Sequence, residues 1–373
     1  MSKPLKILYD PQMFDLQNYG GISRYFTNLI EGIDKRKDFI AVLPIVYSPN
    51  YYVRRFGQLL NNKIGRKWLR NTERRKNINK CYSKLLIRKS NFDIFHASYY
   101  DPYFLKDLRK PLVVTVHDMI HENYPELFIN PIETIQQKRA VIEAANLIIA
   151  ISQYTKQQLL KYYPHVEDKI KVVYHGLPVK KVIPSNEILP ECFLLYVGDR
   201  DAAYKNFIFM ITACAPILIQ NPELYIICAG GGAFNENEQA CIKQLGILNR
   251  TIQINATDAL MDQLYTQALL FIYPSLEEGF GLPILEAFRN GCAIACSNTS
   301  CLPEVGGQAV AYFNPENHNS IQQTVTDLIE NNILRNEYIR KGHQQLEKFT
   351  FENCMKQTLD CYRSLIKSVS LQE

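Results

Sequence analysis

The sequence lacks several features that would set it apart from ordinary globular proteins. It has no uninterrupted apolar run near the ~20 residues that a membrane-spanning helix needs. Its opening segment KPLKILYD has a strand pattern rather than the basic-then-apolar pattern of a secretion signal. None of its ten cysteines lies in a C-x-x-C pair, so buried free thiols are expected rather than disulfides or zinc. Together, these absences predict a cytoplasmic protein without a structural metal.

Acidic residues are almost missing from one segment. Between Arg54 and Lys89 the sequence has thirteen Lys or Arg and a single acid, Glu73, which gives a local net charge of +12. Because the whole chain carries +5, the remaining residues carry −7. The excess of positive charge is therefore confined to one segment.

Apolar residues recur within this basic segment. Four of them repeat every fourth residue and three more follow at helical spacing: Phe56, Leu60, Ile64, Trp68, Ile78, Tyr82 and Leu85. The pattern predicts a pair of basic amphipathic helices. A solvated helical surface is the usual alternative. The charge imbalance and the single tryptophan favour contact with an anionic membrane surface, at ~1 kcal/mol per basic residue. No recognition motif indicates a nucleic acid partner.

Strands and helices alternate along the whole chain, which is typical of the doubly wound α/β class. At 373 residues the chain exceeds what one hydrophobic core usually supports, so two domains are expected. The predicted organisation has four parts: an N-terminal domain over 1–177 with the basic insert at 51–90, a proline-containing linker at 178–190, a second domain at 191–350, and a C-terminal helix at 351–373.

The stretch LLFIYPSLEEGFGLPILEAFRNG, residues 269–291, is the most informative part of the chain. It predicts a buried strand, a glycine loop and a helix that begins at Pro283. Gly279 and Gly281 would allow the backbone to approach a ligand, and the positive end of the helix favours a phosphate. Glu278 on the loop and Glu286 in the helix could then bind sugar hydroxyls. A plain helix start with two solvated glutamates is the alternative.

Two further segments predict ligand contacts in the first half of the chain. Gly20 and Gly21 come just before a helix, although a plain turn would use the same residues and no G-x-G-x-x-G fingerprint is present. His117 follows a predicted strand at 112–116, and the carboxyl ends of such strands border the ligand crevice of open α/β sheets. A lone histidine there is more often structural.

The loop GDRDAAYKNF, residues 198–207, carries both acids and cations. Asp199 and Asp201 form a D-x-D pair that could hold a metal and a diphosphate. Arg200 and Lys205 favour a different interpretation, since two cations on one strand-to-helix loop can neutralise a diphosphate without metal. We therefore expect no metal at this site.

The pattern resembles the retaining glycosyltransferases of family 4, whose fold is called GT-B and whose signature is Glu, seven residues, Glu. Glu278 and Glu286 match that signature within EGFGLPILE. The resemblance implies two Rossmann-like doubly wound domains that face each other across a cleft, with the last helix crossing back to the first domain. It also implies that Glu278 contacts the donor sugar and Glu286 the nucleotide ribose.

The resemblance assigns expected roles to the other candidates as well. His117 would lie under the donor sugar as a catalytic residue with Glu278, and Gly230 and Gly231 would lie beside the base. The residues expected at the donor diphosphate are Arg200, Lys205, Gly279, Phe280, Gly281, Gly20 and Gly21. This sequence departs from the family pattern at His175, which replaces an asparagine.

The resemblance implies retaining transfer of a hexose, most simply mannose, in bacterial cell-surface polysaccharide synthesis. The expected donor is GDP-mannose or a UDP-sugar, and the expected acceptor is a lipid-linked glycan at the inner face of the cytoplasmic membrane. Two alternatives stay open: a nucleotide-sugar epimerase or phosphorylase of similar shape, and a non-catalytic glycan- or lipid-binding protein. The combined set of Arg200, Lys205, Glu278 and Glu286 argues against a binding protein.

Overall fold

A computed structural model describes residues 3–179 and 185–370, which divide into two compact units. The first unit contains the residues up to His175 together with those from Glu352 onward. The second unit is Gly176–Phe351. The predicted linker at 178–190 includes residues 180–184, which lie outside the described residues.

The first unit is built on a parallel sheet of six strands, which are β1 (Leu5–Tyr9), β2 (Phe39–Val42), β3 (Ile94–Ala97), β4 (Leu112–Val116), β5 (Leu147–Ala150) and β6 (Ile170–Val172). Their order is β2-β1-β3-β4-β5-β6. Every residue of β3, β4 and β5 is buried, as expected for parallel strands that are covered on both faces. Because all six strands are parallel, their carboxyl ends share one edge of the sheet.

In the described part of the chain, seven α-helices connect the strands of this sheet: α1 (Gln12–Leu16), α2 (Gly21–Asp34), α3 (Lys63–Trp68), α4 (Thr72–Lys89), α5 (Ile120–Asn123), α6 (Pro131–Ala144) and α7 (Gln153–Tyr162). The apolar pattern from Phe39 to Tyr47 predicts one strand, whereas β2 ends at Val42. The backbone N–H of Val46 donates instead to Oδ1 of Asn79 at 2.8 Å, so a side chain takes the place of a neighbouring strand.

The basic segment differs from its predicted form. Phe56 and Leu60 lie outside α3, so the four-residue repeat does not follow one helical face. Ile64 and Trp68, which are within α3, are 82% and 49% exposed. The repeat is therefore not the buried stripe of an amphipathic helix.

The inner face of α4 is mostly polar, because its buried residues are Arg75, Asn79, Ser83 and, near the C-terminal end, the apolar Ile87. The predicted apolar positions Ile78, Tyr82 and Leu85 are not among its buried residues. Asp15 in α1 explains the difference. Its buried carboxylate accepts hydrogen bonds from Arg75 Nε at 3.1 Å and Asn79 Nδ2 at 3.0 Å. A buried charge needs such partners, so the polar stripe of α4 faces inward.

The second unit has a parallel sheet of six strands: β7 (Phe193–Val197), β8 (Tyr225–Ala229), β9 (Thr251–Ile254), β10 (Leu270–Tyr273), β11 (Ile294–Ser297) and β12 (Ala311–Phe313). Their order is β12-β11-β10-β7-β8-β9. The accompanying helices are α8 (Phe207–Gln220), α9 (Glu236–Gln244), α10 (Asp258–Gln267), α11 (Leu282–Arg289), α12 (Leu302–Gly306), α13 (His318–Glu330) and α14 (Asn332–Leu346). The apolar run at 193–197 predicts a strand with the limits of β7, and the pattern that follows predicts a helix to about Gln220, where α8 ends.

One helical stretch corrects the statement that no apolar run approaches membrane-spanning length. By length and composition alone, residues 203–220, which include α8, could cross a membrane. The buried core helix of a soluble protein can have the same length and apolar composition. Here α8 supplies Phe207, Met210 and Cys214 to the core beside β7 and β8.

The last helix, α15 (Phe351–Ser370), places Tyr362 in the first unit. The Tyr362 hydroxyl lies 2.6 Å from Nδ1 of His96 and 3.0 Å from the Tyr9 hydroxyl. Burial lowers the pKa of His96 to about 3, so this chain of hydrogen bonds contains a neutral imidazole. A polar chain thus attaches α15 to β1 and β3.

All ten cysteines are free. Seven are buried, whereas Cys81 is exposed and Cys192 and Cys241 are partly buried. Burial raises the pKa of the Cys214, Cys228 and Cys292 thiols to about 12. These thiols therefore act as small apolar side chains.

Candidate functional site

The loop after β10 has a backbone that only glycine can follow. Gly281, the N-cap of α11, has φ +93°, and a Cβ there would lie 3.0 Å from Cδ2 of Leu302. The Phe280 ring is 3% exposed and packs edge-to-face against Phe349 at 5.7 Å between centroids. Because that ring is buried, the GFG segment can meet a ligand only through its backbone groups.

Two of the predicted site residues meet in the second unit. Nζ of Lys205 lies 2.6 Å from Oε1 of Glu278, with side chains 18% and 12% exposed. The N–H of Leu276 donates to the Tyr204 carbonyl at 2.8 Å, which joins the loops after β7 and β10. The structure therefore pairs a cation with a carboxylate at the carboxyl ends of two neighbouring strands.

Ser300 and Tyr265 support the two glutamates, and neither appeared among the sequence candidates. The backbone N–H of Glu278 donates to Oγ of Ser300 at 3.2 Å. Glu286, inside α11, accepts from the Tyr265 hydroxyl at 3.3 Å. A lone serine or tyrosine carries no sequence signal of such a role. The two glutamates therefore have distinct surroundings, as separate roles would require.

Arg200 has partners that the sequence analysis did not foresee. Its Nε lies 2.9 Å from Oε1 of Glu238, and its side chain is fully buried. It also donates to the carbonyl oxygens of Gly230 and, at 2.7 Å, Gly232. These protein groups surround the guanidinium that we expect near the donor diphosphate. The three glycines from 230 to 232 have φ of +95°, +69° and +69°, and this turn places their carbonyl groups around the guanidinium.

This arrangement also accounts for the predicted base-side glycines. A Cβ on Gly231 would lie 2.9 Å from a guanidinium nitrogen of Arg200. Gly230 would bring its Cβ 3.0 Å from the carbonyl oxygen of Gly198. Arg200 therefore occupies the space that a side chain at 231 would need, and the backbone at Gly198 occupies the space at 230.

His117 lies at the carboxyl end of β4 and is 5% exposed. Its backbone N–H donates to the Tyr100 hydroxyl at 3.3 Å. Its ring stacks on His175 at 5.9 Å and 22°, and meets Tyr25 edge-on at 5.7 Å and 80°. Within the described part of the chain, its Nε2 is buried without a hydrogen-bond partner. The ring is fixed while one nitrogen stays available.

The electrostatic surroundings keep His117 uncharged. Burial, followed by the nearby His96 and Lys138, lowers the pKa of His117 to about 3. Burial also lowers the pKa of His175 well below its ordinary value, with smaller effects from His117 and Arg24. Both imidazoles are therefore neutral near pH 7, and each can donate or accept a hydrogen bond without carrying charge.

Lys138 is a buried cation that the sequence did not reveal. It is 0% exposed, and its Nζ donates to Glu122 Oε2 at 2.8 Å and to the Asp118 carbonyl at 2.9 Å. These bonds fix the loop that follows His117. A lysine in a helix ordinarily predicts a solvated position, so its role depends on tertiary contacts.

Gly20 and Gly21 begin α2 beside Gln17. A Cβ on Gly20 would lie 2.4 Å from Oε1 of Gln17, so a larger residue there would displace this side chain. Oε1 of Gln17 also accepts the backbone N–H of Ser23 at 3.2 Å. The pair thus shapes the loop after β1, in the unit that also holds His117.

No cluster of three or more His, Cys, Asp or Glu in residues 3–179 and 185–370 is arranged to hold a metal. Within the D-x-D pair, Asp201 Oδ1 accepts from Nδ2 of Asn235 at 3.0 Å. The backbone N–H of Asp201 donates to Asp199 at 3.3 Å. The structure therefore gives Asp199 a partner within the loop after β7 and Asp201 a partner at the start of α9.

Comparison with family models identifies the enzyme class. The model described as Glycosyltransferase Family 4 matches residues 19–181, and the one described as Glycosyl transferases group 1 matches residues 180–345. Between them they match residues 19–345, which include parts of both units. The chain therefore belongs to the glycosyltransferases that these two models describe. The predicted class, a nucleotide-sugar-dependent hexosyltransferase, is confirmed.

The glycosyltransferase has curated relatives in bacteria. It is 25% identical over 290 residues to O-antigen chain mannosyltransferase B of Escherichia coli, covering 72% of this chain and 74% of that protein. It is 24% identical over 245 residues to O-antigen chain mannosyltransferase RfbU of Salmonella typhimurium, covering 65% and 67%.

Solved structures confirm the predicted GT-B fold. Sucrose-phosphate synthase from Thermosynechococcus elongatus matches with a TM-score of 0.75 at 17% identity, over 98% of this chain and all of that one. Anabaena HepE in complex with UDP and glucose matches with a TM-score of 0.68 at 17% identity, over 96% and 100%. At this level of identity the likeness concerns the fold alone.

Proposed function

We propose that the glycosyltransferase transfers mannose, with retention of configuration, from GDP-mannose to a hydroxyl of a lipid-linked glycan during bacterial cell-surface polysaccharide synthesis. The observation that carries this proposal is the contact between Lys205 and Glu278 beside the GFG loop. A cation suits a diphosphate, and an adjacent carboxylate suits the hydroxyls of the attached sugar. The similarity to two O-antigen mannosyltransferases supports the choice of mannose.

The donor site of the second unit stabilises the leaving group in this proposal. As the bond between the anomeric carbon and the diphosphate breaks, negative charge develops on the phosphate oxygens. Lys205, the backbone N–H groups of 279–281 and the N-terminus of α11 neutralise it without a metal. Glu278 orients the sugar, and Glu286, held by Tyr265, binds the ribose.

Arg200 acts indirectly in this scheme. Its guanidinium holds the turn at 230–232, which we place beside the base, while Lys205 supplies the charge at the diphosphate. In the first unit, neutral His117 donates or accepts a hydrogen bond at the donor sugar. The acceptor hydroxyl attacks on the face from which the diphosphate leaves, and its proton passes to a departing phosphate oxygen.

A thermal-shift screen tests the donor site. We expect GDP and GDP-mannose to raise the melting temperature more than UDP, UDP-glucose or UDP-N-acetylglucosamine, because a fitted base and diphosphate bind only the folded state. The shift should persist with a chelator, because lysine and backbone amides provide the charge. A shift that chelator abolishes would contradict metal independence, and no shift with any nucleotide would contradict the donor site.

We also propose that the cytoplasmic enzyme binds the inner face of the membrane through the basic segment Arg54 to Lys89. Exposed Ile64 and Trp68 lie on α3 among exposed cations, and the guanidinium of Arg74 lies 5.5 Å from the Trp68 ring centroid. Because the polar face of α4 packs inward, many of the other basic residues stay at the surface. Apolar side chains flanked by cations suit anionic lipid.

Vesicle sedimentation tests this surface. Replacing Arg66 and Lys67 with Gln should lower partitioning onto anionic vesicles at low salt by about tenfold or more, at ~1 kcal/mol per charge. The matched variant Arg340→Gln/Lys348→Gln removes two exposed charges from the second unit and should partition like wild type. Equal loss in both variants, or no binding by wild type, would rule out the proposed surface.

A further inference from the structure

Three aromatic side chains stand out at the surface. Among residues 3–179 and 185–370, only Tyr19, Tyr51 and Trp68 are aromatic and classed as exposed, at 48%, 49% and 49%. Large apolar groups left at the surface together often mark a binding site. Trp68 belongs to the membrane surface proposed above, which leaves the two tyrosines to be explained.

Tyr19 and Tyr51 form one cluster although they are far apart in sequence. Their ring centroids are 5.6 Å apart, at an interplanar angle of 52°. Beneath them lies Tyr52, only 4% exposed, with its ring 5.0 Å from Tyr19 and 5.4 Å from Tyr51. The buried ring supports the two exposed ones, so the cluster presents an extended aromatic surface.

A buried polar scaffold holds the two segments that carry these rings. Asn50 is 0% exposed, and its Nδ2 donates to the Gln17 carbonyl at 2.6 Å. Its Oδ1 accepts the backbone N–H of Tyr52 at 2.9 Å. The N–H of Tyr51 donates to the Asn18 carbonyl at 2.9 Å. Since the backbone is fixed on both sides, a ligand would find the surface already formed.

The position and chemistry of the cluster favour a sugar as its ligand. Tyr19 directly precedes Gly20 and Gly21, in the loop that leads from the carboxyl end of β1 to α2. The guanidinium of Arg54 lies 5.8 Å from the Tyr51 ring centroid. A pyranose has an apolar face of C–H groups, which packs on an aromatic ring, and a rim of hydroxyls, which suits tyrosine hydroxyls and a guanidinium.

We propose that Tyr19 and Tyr51 form a platform on which a pyranose ring of the acceptor glycan stacks, with Arg54 binding hydroxyls at its rim. This rests on the proposed function, since a glycosyltransferase that extends a glycan must hold the accepting sugar. The platform is distinct from the donor residues of the second unit. It assigns acceptor binding to the loop after β1 and the segment at 50–54.

Saturation-transfer NMR on the full chain tests the platform, with methyl α-1,2-mannobioside as the probe. We expect wild type to transfer magnetisation most strongly to the ring C–H protons. Tyr19→Ala/Tyr51→Ala should lower that signal at least about fivefold. Tyr19→Phe/Tyr51→Phe keeps both rings and should retain most of it. Trp68→Ala removes the third exposed aromatic and should leave the signal unchanged.

Other outcomes would overturn the platform. These are no signal with wild type, equal signals from wild type and the double alanine variant, or an equal loss in Trp68→Ala. Melting temperatures of each variant establish that it is folded. The nucleotide thermal shift is measured in parallel. A failed nucleotide shift with a ring-dependent sugar signal would contradict the donor assignment, whereas the reverse result would contradict only the platform.

Discussion

Replacing Lys205 with alanine will lower kcat/KM for sugar transfer at least about 100-fold, the usual cost of removing one group that stabilises developing negative charge. Lys205 is the cation in contact with Glu278, whereas the guanidinium of Arg200 is occupied by Glu238 and the glycine turn. No other side chain of that loop is placed to take over the charge. Transfer should fall while the fold remains.

The measurement is a steady-state transfer assay with a melting curve for each variant. Lys341→Ala is the matched control, because Lys341 forms a 2.7 Å ion pair with Glu337 on the surface helix α14 of the same unit. That exposed pair should contribute little to stability and nothing to transfer. A Lys205→Ala enzyme with full activity and unchanged stability would falsify the assigned role.

Glu278 extends the same prediction to a pair of residues. Glu278→Ala should also lower kcat/KM at least about 100-fold, because the sugar hydroxyls lose their acceptor and Lys205 loses the carboxylate that positions it. If the two residues act as a unit, the double variant will lose no more activity than either single variant. Fully additive losses would instead indicate that Lys205 and Glu278 contribute independently.

The sequence was sufficient where local pattern and tertiary structure agree. Leu112–Val116 and Phe193–Val197 have the predicted limits, because continuous apolar runs bounded by polar loops leave little choice of register. The GFG loop could also be predicted, since the positive φ of Gly281 is a local backbone conformation that favours glycine. Both features depend on residues that are close together in the chain.

Other features depend on residues far apart in sequence and could not be read in advance. The inward face of α4 is set by Asp15, which lies 60 residues from Arg75. Helical periodicity alone predicts that Ile78, Tyr82 and Leu85 face inward, and this prediction is wrong because the contact with Asp15 turns the polar residues inward. Arg200 is a second example, because its partner Glu238 lies 38 residues away and nothing in the sequence marks the two residues as a pair. Long-range polar contacts thus account for the largest differences.

The surroundings of His117 show the same limit and lead to a sharper expectation. Tyr25 and His175 pack against its ring and Tyr100 accepts its backbone N–H, and these three residues come from distant segments. A sequence with a histidine after a strand predicts a group that titrates near 6.5. The structure predicts a pKa of about 3, so the imidazole is a neutral hydrogen-bonding group throughout the working pH range.

We therefore expect His117→Ala to lower kcat by about 10- to 100-fold, the cost of an unmade hydrogen bond at a buried site. Asparagine keeps a donor and an acceptor, so His117→Asn should recover part of the loss. Because the pKa lies below 5, pH–rate profiles of wild type and His117→Asn between pH 5 and 8 should have the same shape and differ only in height.

His165→Asn, which replaces a histidine whose side chain is 58% exposed in the same unit, should match wild type. A wild-type inflection near pH 6.5 that disappears in His117→Asn would show that the ring exchanges a proton during turnover, and His117 would then act as an acid or base.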